Sequence, residues 1–185
     1  MDAGSWAAIS AGIVAGAGAL VGFLGSQLAN RRERKSKVYA EALAAIKEYE
    51  ELPYRIRRRP SSDGATRAAL GDMVGDVLSK LWFYQAWVHT DSAEVGAAYS
   101  ALMARTQGFG GPFRAAAWST PVITKDEDAH LRDSFIYDNK PELALCLLVM
   151  RRELSPWTPF LRRSTRKLLA AQRQRRQPPA RFRDG

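Results

Sequence analysis

Apolar and small residues run without a formal charge from Ala7 to Leu28, and beyond them apolar positions recur at three- and four-residue spacing. The uncharged run is 22 residues long. At about 1.5 Å per residue, a helix of that size reaches roughly 33 Å, enough to cross a hydrocarbon core of about 30 Å. Only Ile9, Ile13, Val14, Leu20, Val21, Phe23, Leu24 and Leu28 are large and apolar in it, so insertion is expected to be favourable but modest. The rival, a buried helix of a soluble core, fits poorly because the run is glycine-rich and has no polar face.

Downstream the spacing predicts helices throughout. Val38, Ala42, Ala45, Ile46 and Tyr49 form one stripe of a helix over residues 30–52, which Pro53 kinks or ends. Residues 57–64 read as a loop, and the arginines at 55–59 as a solvated turn or, alternatively, a phosphate patch. A second helix over 65–89 places Leu70, Val74, Val77, Leu81 and Val88 on one face, while Trp82, Phe83, Tyr84 and Trp87 crowd its end and are expected inside a bundle or, alternatively, on a partner-binding surface. Asp91 and Glu94 have capping-box spacing for a helix to about 106, with Val95, Ala98, Tyr99, Leu102 and Met103 inward. Gly108, Gly110, Gly111 and Pro112 then predict a linker before a short helix near 113–118.

Thr124 and Glu127 suggest another capped helix, reaching about 137. Pro141 suits a first helical position, with Leu143, Leu147, Met150 and Leu154 defining the next. The last helix, over 159–177, alternates Phe160, Leu161, Leu168 and Leu169 with Arg162, Arg163, Arg166, Lys167, Arg173, Arg175 and Arg176, a basic amphipathic pattern suited to a membrane surface. No strand signal appears.

Charge sharpens this picture. The net charge of +9 is carried by two segments: residues 31–59 hold 10 basic and 5 acidic residues, residues 151–185 hold 11 and 2, and residues 60–150 are acidic with 7 and 11. Asp2 precedes the apolar run and Arg31, Arg32, Arg34, Lys35 and Lys37 follow it, the reverse of a secretory signal. The positive-inside rule therefore puts the C-terminal part in the cytoplasm and the N-terminus outside. Gly18, Gly22 and Ser26 recur every four residues, as membrane helices that pair closely do, which makes a homodimer through the anchor one expectation; Ala/Gly-rich helices also contain such spacings by chance.

The expected organisation is all-α: an external N-terminus (1–6), one transmembrane helix (7–29), an antiparallel cytoplasmic bundle of about four to six helices (30–158), the basic amphipathic helix (159–177) and a disordered tail (178–185). The expected location is the cytoplasmic membrane, crossed once.

Chemistry is sparse. Asp126, Glu127, Asp128 and His130 are the densest set of metal-ligand types, but a second Glu-x-x-His motif is missing, and acidic residues in a first helical turn answer the helix dipole. The lone Cys146 rules out an internal disulfide and sits in an apolar run, where a thiol is inert. The glycine cluster lacks the Lys–Ser/Thr of a phosphate loop. His89, near a helix end, reads as a carbonyl cap. No catalytic, metal or cofactor residues are assigned, and an enzyme is not expected.

Arg31-Arg32-Glu33-Arg34-Lys35 followed by Val38-Tyr39-Ala40-Glu41-Ala42-Leu43, after a Gly/Ala-rich run, resembles uncharacterised single-pass membrane proteins of high-GC Gram-positive bacteria and their phages. The resemblance is strongest over residues 7–60. It implies a fold and a location and carries no functional residues.

Two readings follow. The first is a membrane-anchored module that binds or regulates another protein, its basic residues at Arg31, Arg32, Arg34 and Lys35 and in the last helix facing anionic lipid. The second is a membrane-tethered nucleic-acid binder using the arginines of residues 55–59 and 162–183, which the separation of most aromatics from them disfavours. A pore former is weaker still, since the anchor has no polar face.

Overall fold

The computed structural model describes residues 3–123 and 135–176, without the side chains of residues 3–24, 173, 175 and 176. Among the described residues the fold is all-α, with five helices and no strand: α1 (Ala3–Arg57), α2 (Gly64–Asp91), α3 (Ala93–Ser119), α4 (Lys140–Glu153) and α5 (Thr158–Arg176). The chain divides into two compact units, residues 1–37 and 38–185.

In the first unit the backbone is helical from Ala3. The membrane span expected over 7–29 is not found: among the described residues no helix is long and apolar enough to cross a membrane. The side chains of 7–24, including Gly18 and Gly22, lie outside the described residues, whereas Ser26 and Leu28 are exposed.

The second unit is an up-down bundle centred on α3. Tyr39, Ala42, Ala45, Ile46, Tyr49, Leu52 and Ile56 bury one stripe of α1 at helical spacing. Glu48 bonds Lys80 and Arg55 reaches Met73, which runs α2 antiparallel to α1. Asp63 caps α2 by accepting from Thr66 N at 2.7 Å. A single residue, Ser92, separates α2 from α3, and its hydroxyl, not the expected Asp91, caps α3 by accepting from Val95 N. So short a turn forces the helices together, and Gly96 meets that demand: a Cβ there would lie 2.5 Å from His89 Cγ. His89 bonds the Ser100 hydroxyl at 2.9 Å, where a carbonyl cap was expected.

Pro112, expected to break the chain, does not, and Pro53, expected to kink or end its helix, does not end it. Pro53 is buried inside α1, which continues to Arg57. The expected linker at Gly108–Pro112 is instead the middle of α3, a continuous helix through Pro112. Pro112 denies the Gly108 carbonyl its helical donor, but both residues are exposed, so water can take that role. Gly110 faces inward, where a Cβ would lie 2.4 Å from Tyr49 Cε1. Packing against Tyr49 thus holds as helix a stretch whose local propensity argues against it.

α3 ends before Pro121, which cannot donate to the Ala117 carbonyl four residues back. Arg59 fills that gap. Only 4% exposed, it donates from Nη1 to Ile56 O (3.1 Å) and Ala117 O (3.0 Å), and from Nη2 to Trp118 O (3.3 Å) and Thr120 O (2.7 Å). Its Nε donates to Ser62 Oγ at 3.1 Å, and its guanidinium lies 5.4 Å from the Trp118 ring centre. The arginine expected in a solvated turn therefore satisfies the carbonyls at the C-terminal end of α3.

The helix expected to start at Thr124 falls on residues 124–134, outside the described residues. Where the chain is described again, residues 135–139 are not helical. Phe135 N donates to Tyr54 Oη at 2.8 Å, and Asn139 Nδ2 donates to Glu50 Oε1 (2.7 Å) and Thr106 Oγ1 (2.8 Å). Phe113, Phe135 and Tyr137 meet edge to face or tilted at 5.0–5.3 Å. Pro141 then sits in the first turn of α4, as expected. α4 buries Cys146, Val149 and Met150, whereas Leu147 and Leu148 stay 46% and 38% exposed, so its inward face is rotated from the one expected. α5 lays Leu161, Thr165 and Leu169 against the bundle, and Arg166 Nε bonds Glu94 Oε1 of α3 at 2.7 Å.

Candidate interaction surface

α2 has too many large side chains for one core. Val77, Leu81 and Val88 take the inward positions and are fully or nearly fully buried. Tyr84 lies partly inward, where its hydroxyl donates to Glu41 at 3.0 Å. The positions left over by the helical period are 82, 83, 86 and 87. Trp82, Phe83 and Trp87 are accordingly 56%, 54% and 47% exposed, correcting the expectation that they pack inside the bundle. Phe83 and Trp87 contact edge to face with ring centres 5.3 Å apart, so they stand as one aromatic ridge. Gly71, Gly75 and Ser79, one to three turns earlier, are all exposed, and a Cβ at either glycine would meet nothing within 4 Å. Asp72 and Asp76 flank this shallow stretch, and Lys80 bonds Glu48 at 2.7 Å.

The second surface is α5. With Leu161, Thr165 and Leu169 committed to the bundle, Arg162, Arg163 and Lys167 point to solvent. Arg166 is the exception among the expected contact residues because its charge answers Glu94. That hydrogen bond holds the Glu94 carboxyl below its ordinary range, aided by the nearby positive charges of Arg166 and Arg162. At the start of α5, Trp157 and Phe160 are 65% and 78% exposed, with ring centres 6.1 Å apart. Arg173, Arg175 and Arg176 have no described side chains. In the first unit Arg31, Arg32 and Arg34 are exposed and Lys35 half-buried.

Little else is arranged for chemistry. The Cys146 thiol is fully buried and pushed up to about 12 by burial alone, as an inert core cysteine should be. Burial also raises the phenols of Tyr39 and Tyr99. Tyr39 donates to the Asp91 carboxylate, which raises it further, and Tyr99 donates to the Ala42 carbonyl at 3.1 Å. Among the described residues no three His, Cys, Asp or Glu side chains are placed to hold a metal; Asp126, Glu127, Asp128 and His130 lie outside them. An open groove lined by Arg105, Glu142, Leu145, Leu168 and Gln172 runs between α3, α4 and α5.

Sequence reasoning found the basic face of α5; for the aromatics of α2 it ranked burial first and an exposed surface second, and the structure exposes Trp82, Phe83 and Trp87. The signal was present: a strict 3.6-residue period through Val77, Leu81, Tyr84 and Val88 leaves Trp82, Phe83 and Trp87 outside. Comparison with family models, with curated proteins and with solved structures gives no match.

Proposed function

We propose that the chain is a membrane-tethered interaction module. The uncharged run of residues 7–28 holds an α-helical bundle at the cytoplasmic face of the membrane, and α2 offers its aromatic ridge to another protein. The observation that carries this reading is the exposure of Trp82, Phe83 and Trp87 on a bundle whose other large aromatics mostly find partners inside it. Grouped, half-buried Trp and Phe side chains are what protein interfaces concentrate at their centres. Arg162, Arg163 and Lys167 fit an anionic leaflet, each basic group near such a surface adding up to about 1 kcal/mol.

The test compares the full chain with a Trp82→Ser, Trp87→Ser variant, both cross-linked in intact membranes and then solubilised in detergent. Partners recovered with the parent and lost with the variant support the reading; an identical set from both refutes it. Release of the parent by alkaline carbonate would refute the tether. A cysteine placed at position 3 should react with an impermeant maleimide on intact cells, and one placed at position 180 should not.

A second reading is favoured by one observation: Trp157 and Phe160 are exposed beside Arg162 and Arg163, the pairing of stacking rings and cations that single-stranded nucleic acid uses. Competition decides between the two. If RNA at matched phosphate concentration strips the full chain's α5 from anionic lipid, as read by a fluorophore at position 164, nucleic acid is its ligand.

A further inference from the structure

We propose that the turn between α4 and α5 is a second membrane contact, in which Trp157 and Phe160 enter the interface of an anionic leaflet while Arg163 and Lys167 meet its headgroups. The inference rests on the membrane-tethered reading and names the part of the bundle that touches lipid. Its basis is a corner of four exposed apolar residues, Pro156, Trp157, Pro159 and Phe160, in a segment with no acidic residue from Leu154 to Arg183.

The corner is braced from within. The Thr158 hydroxyl lies 2.9 Å from the Arg152 carbonyl and 3.0 Å from that of Glu153, so it closes the end of α4 by donating to either. Trp157 N donates to Ser155 Oγ at 3.2 Å, and Phe160 N to the Trp157 carbonyl at 3.0 Å. The two rings are thus displayed on an ordered turn, and inserting them costs little further ordering. Phe160, Arg163 and Lys167 recur at i, i+3 and i+7, on the side of α5 away from Leu161, Thr165 and Leu169. With those three committed to the bundle, α5 keeps no outward stripe of large apolar residues on which to lie flat, and the corner is the part left to insert.

Position favours lipid. The corner lies at the end of the bundle where the chain enters it. Tyr39, beside the first residue of the second unit, donates to Asp91 at the turn between α2 and α3, and the charge of Glu153 at the end of α4 acts on the same phenol. Glu94, Arg152, Glu153 and Thr158 line one small hollow there. Leu28, the last residue of the uncharged run, precedes Val38 by ten residues, at most about 35 Å of chain, so this end stays within reach of the surface. Trp favours the headgroup level of a bilayer, and basic side chains beside it favour anionic headgroups. Nucleic acid fits less well, because the two rings stand at 52° to each other and cannot hold a base between parallel faces.

The experiment places the full chain in lipid nanodiscs. Pro156→Cys carries an environment-sensitive nitrobenzoxadiazole label, and Gly108→Cys, exposed in the middle of α3, is the reference; Cys146 is buried and stays unlabelled. In discs containing phosphatidylglycerol the label at 156 should be about threefold brighter than in discs of phosphatidylcholine alone, and spin-labelled lipid should quench it, while the label at 108 shows neither effect. Trp157→Ser with Phe160→Ser should abolish the brightening, continued protection of Cys146 showing the fold intact. Arg163→Glu with Lys167→Glu, at exposed positions, should abolish it independently. Brightening that survives both pairs of substitutions overturns the inference. So do equal signals at 156 and 108 in a chain that still co-elutes with the discs in about 1 M salt, a result that leaves the tether standing. A chain that brightens at 156 but leaves the discs in that salt upholds the corner and defeats the tether; neither brightening nor co-elution defeats both. RNA at matched phosphate concentration that returns the label to its aqueous level overturns lipid in favour of nucleic acid.

Discussion

Replacing Arg59 with methionine keeps most of the side-chain volume and removes the guanidinium. Five hydrogen bonds disappear, four of them to backbone carbonyls. The Ala117 carbonyl suffers most, because its residue is fully buried and Pro121 offers no N–H in its place. Leaving a buried acceptor unsatisfied costs about 1–3 kcal/mol, and Trp118 and Thr120, half-buried, regain part of theirs from water. Against this the variant no longer desolvates a charge. The net loss should be about 3 kcal/mol. At a slope of about 2 kcal/mol per M this moves the urea midpoint down by roughly 1.5 M. Cys146 reports the transition without interference, being the chain's single cysteine and fully buried, so its labelling by a maleimide pulse at each urea concentration follows the bundle alone. Arg58→Met, at an exposed neighbour, should move the midpoint by no more than about 0.25 M. A loss below about 1 kcal/mol for Arg59→Met would mean that water caps α3 as well as the arginine does, and the capping argument would fail.

Gly110→Ala should cost about 2 kcal/mol because Tyr49 blocks its Cβ, while Gly108→Ala and Gly111→Ala, with open space, should each gain about 0.5 kcal/mol from helix propensity; the same labelling assay reads both signs. Breaking the Arg166–Glu94 pair by Arg166→Gln should cost about 0.5 kcal/mol at neutral pH, the arginine being mostly exposed. Because the folded carboxyl titrates below its ordinary 4.5, this contribution is present above that pH and fades as pH falls below it. Midpoints of parent and variant should therefore converge as the pH is lowered below that value, and a gap that widens on acidification would refute the pairing.

Much of the fold was legible because burial obeys period. The inward sets of α1 and α3 were read correctly from Ala42, Ala45, Ile46 and Tyr49 and from Val95, Ala98, Tyr99, Leu102 and Met103. What failed were rules about breakers. Pro53, Gly108, Gly110 and Pro112 carry local signals that long-range packing overrode, and Tyr49, 61 residues from Gly110, is invisible to any local window. Arg59 was illegible for the same reason, since three of its five acceptors are carbonyls at the end of another helix. The aromatic ridge was misread because hydrophobicity was allowed to outvote phase: Trp82, Phe83 and Trp87 are apolar yet lie on the wrong side of α2 for the core.

The connection from α3 to α4 is fastened at both ends by the same part of the chain. Thr120, where it departs, is gripped by Arg59, and Phe135, where it is next described, by Tyr54, five residues earlier in sequence. The entropy of closing the connection is thus set against two anchor points that exist whatever lies between them. Since loop-closure cost grows only with the logarithm of length, doubling the intervening stretch would add about 0.6 kcal/mol. Whatever the length of chain between them, the two clamps hold the ends of the connection against the bundle.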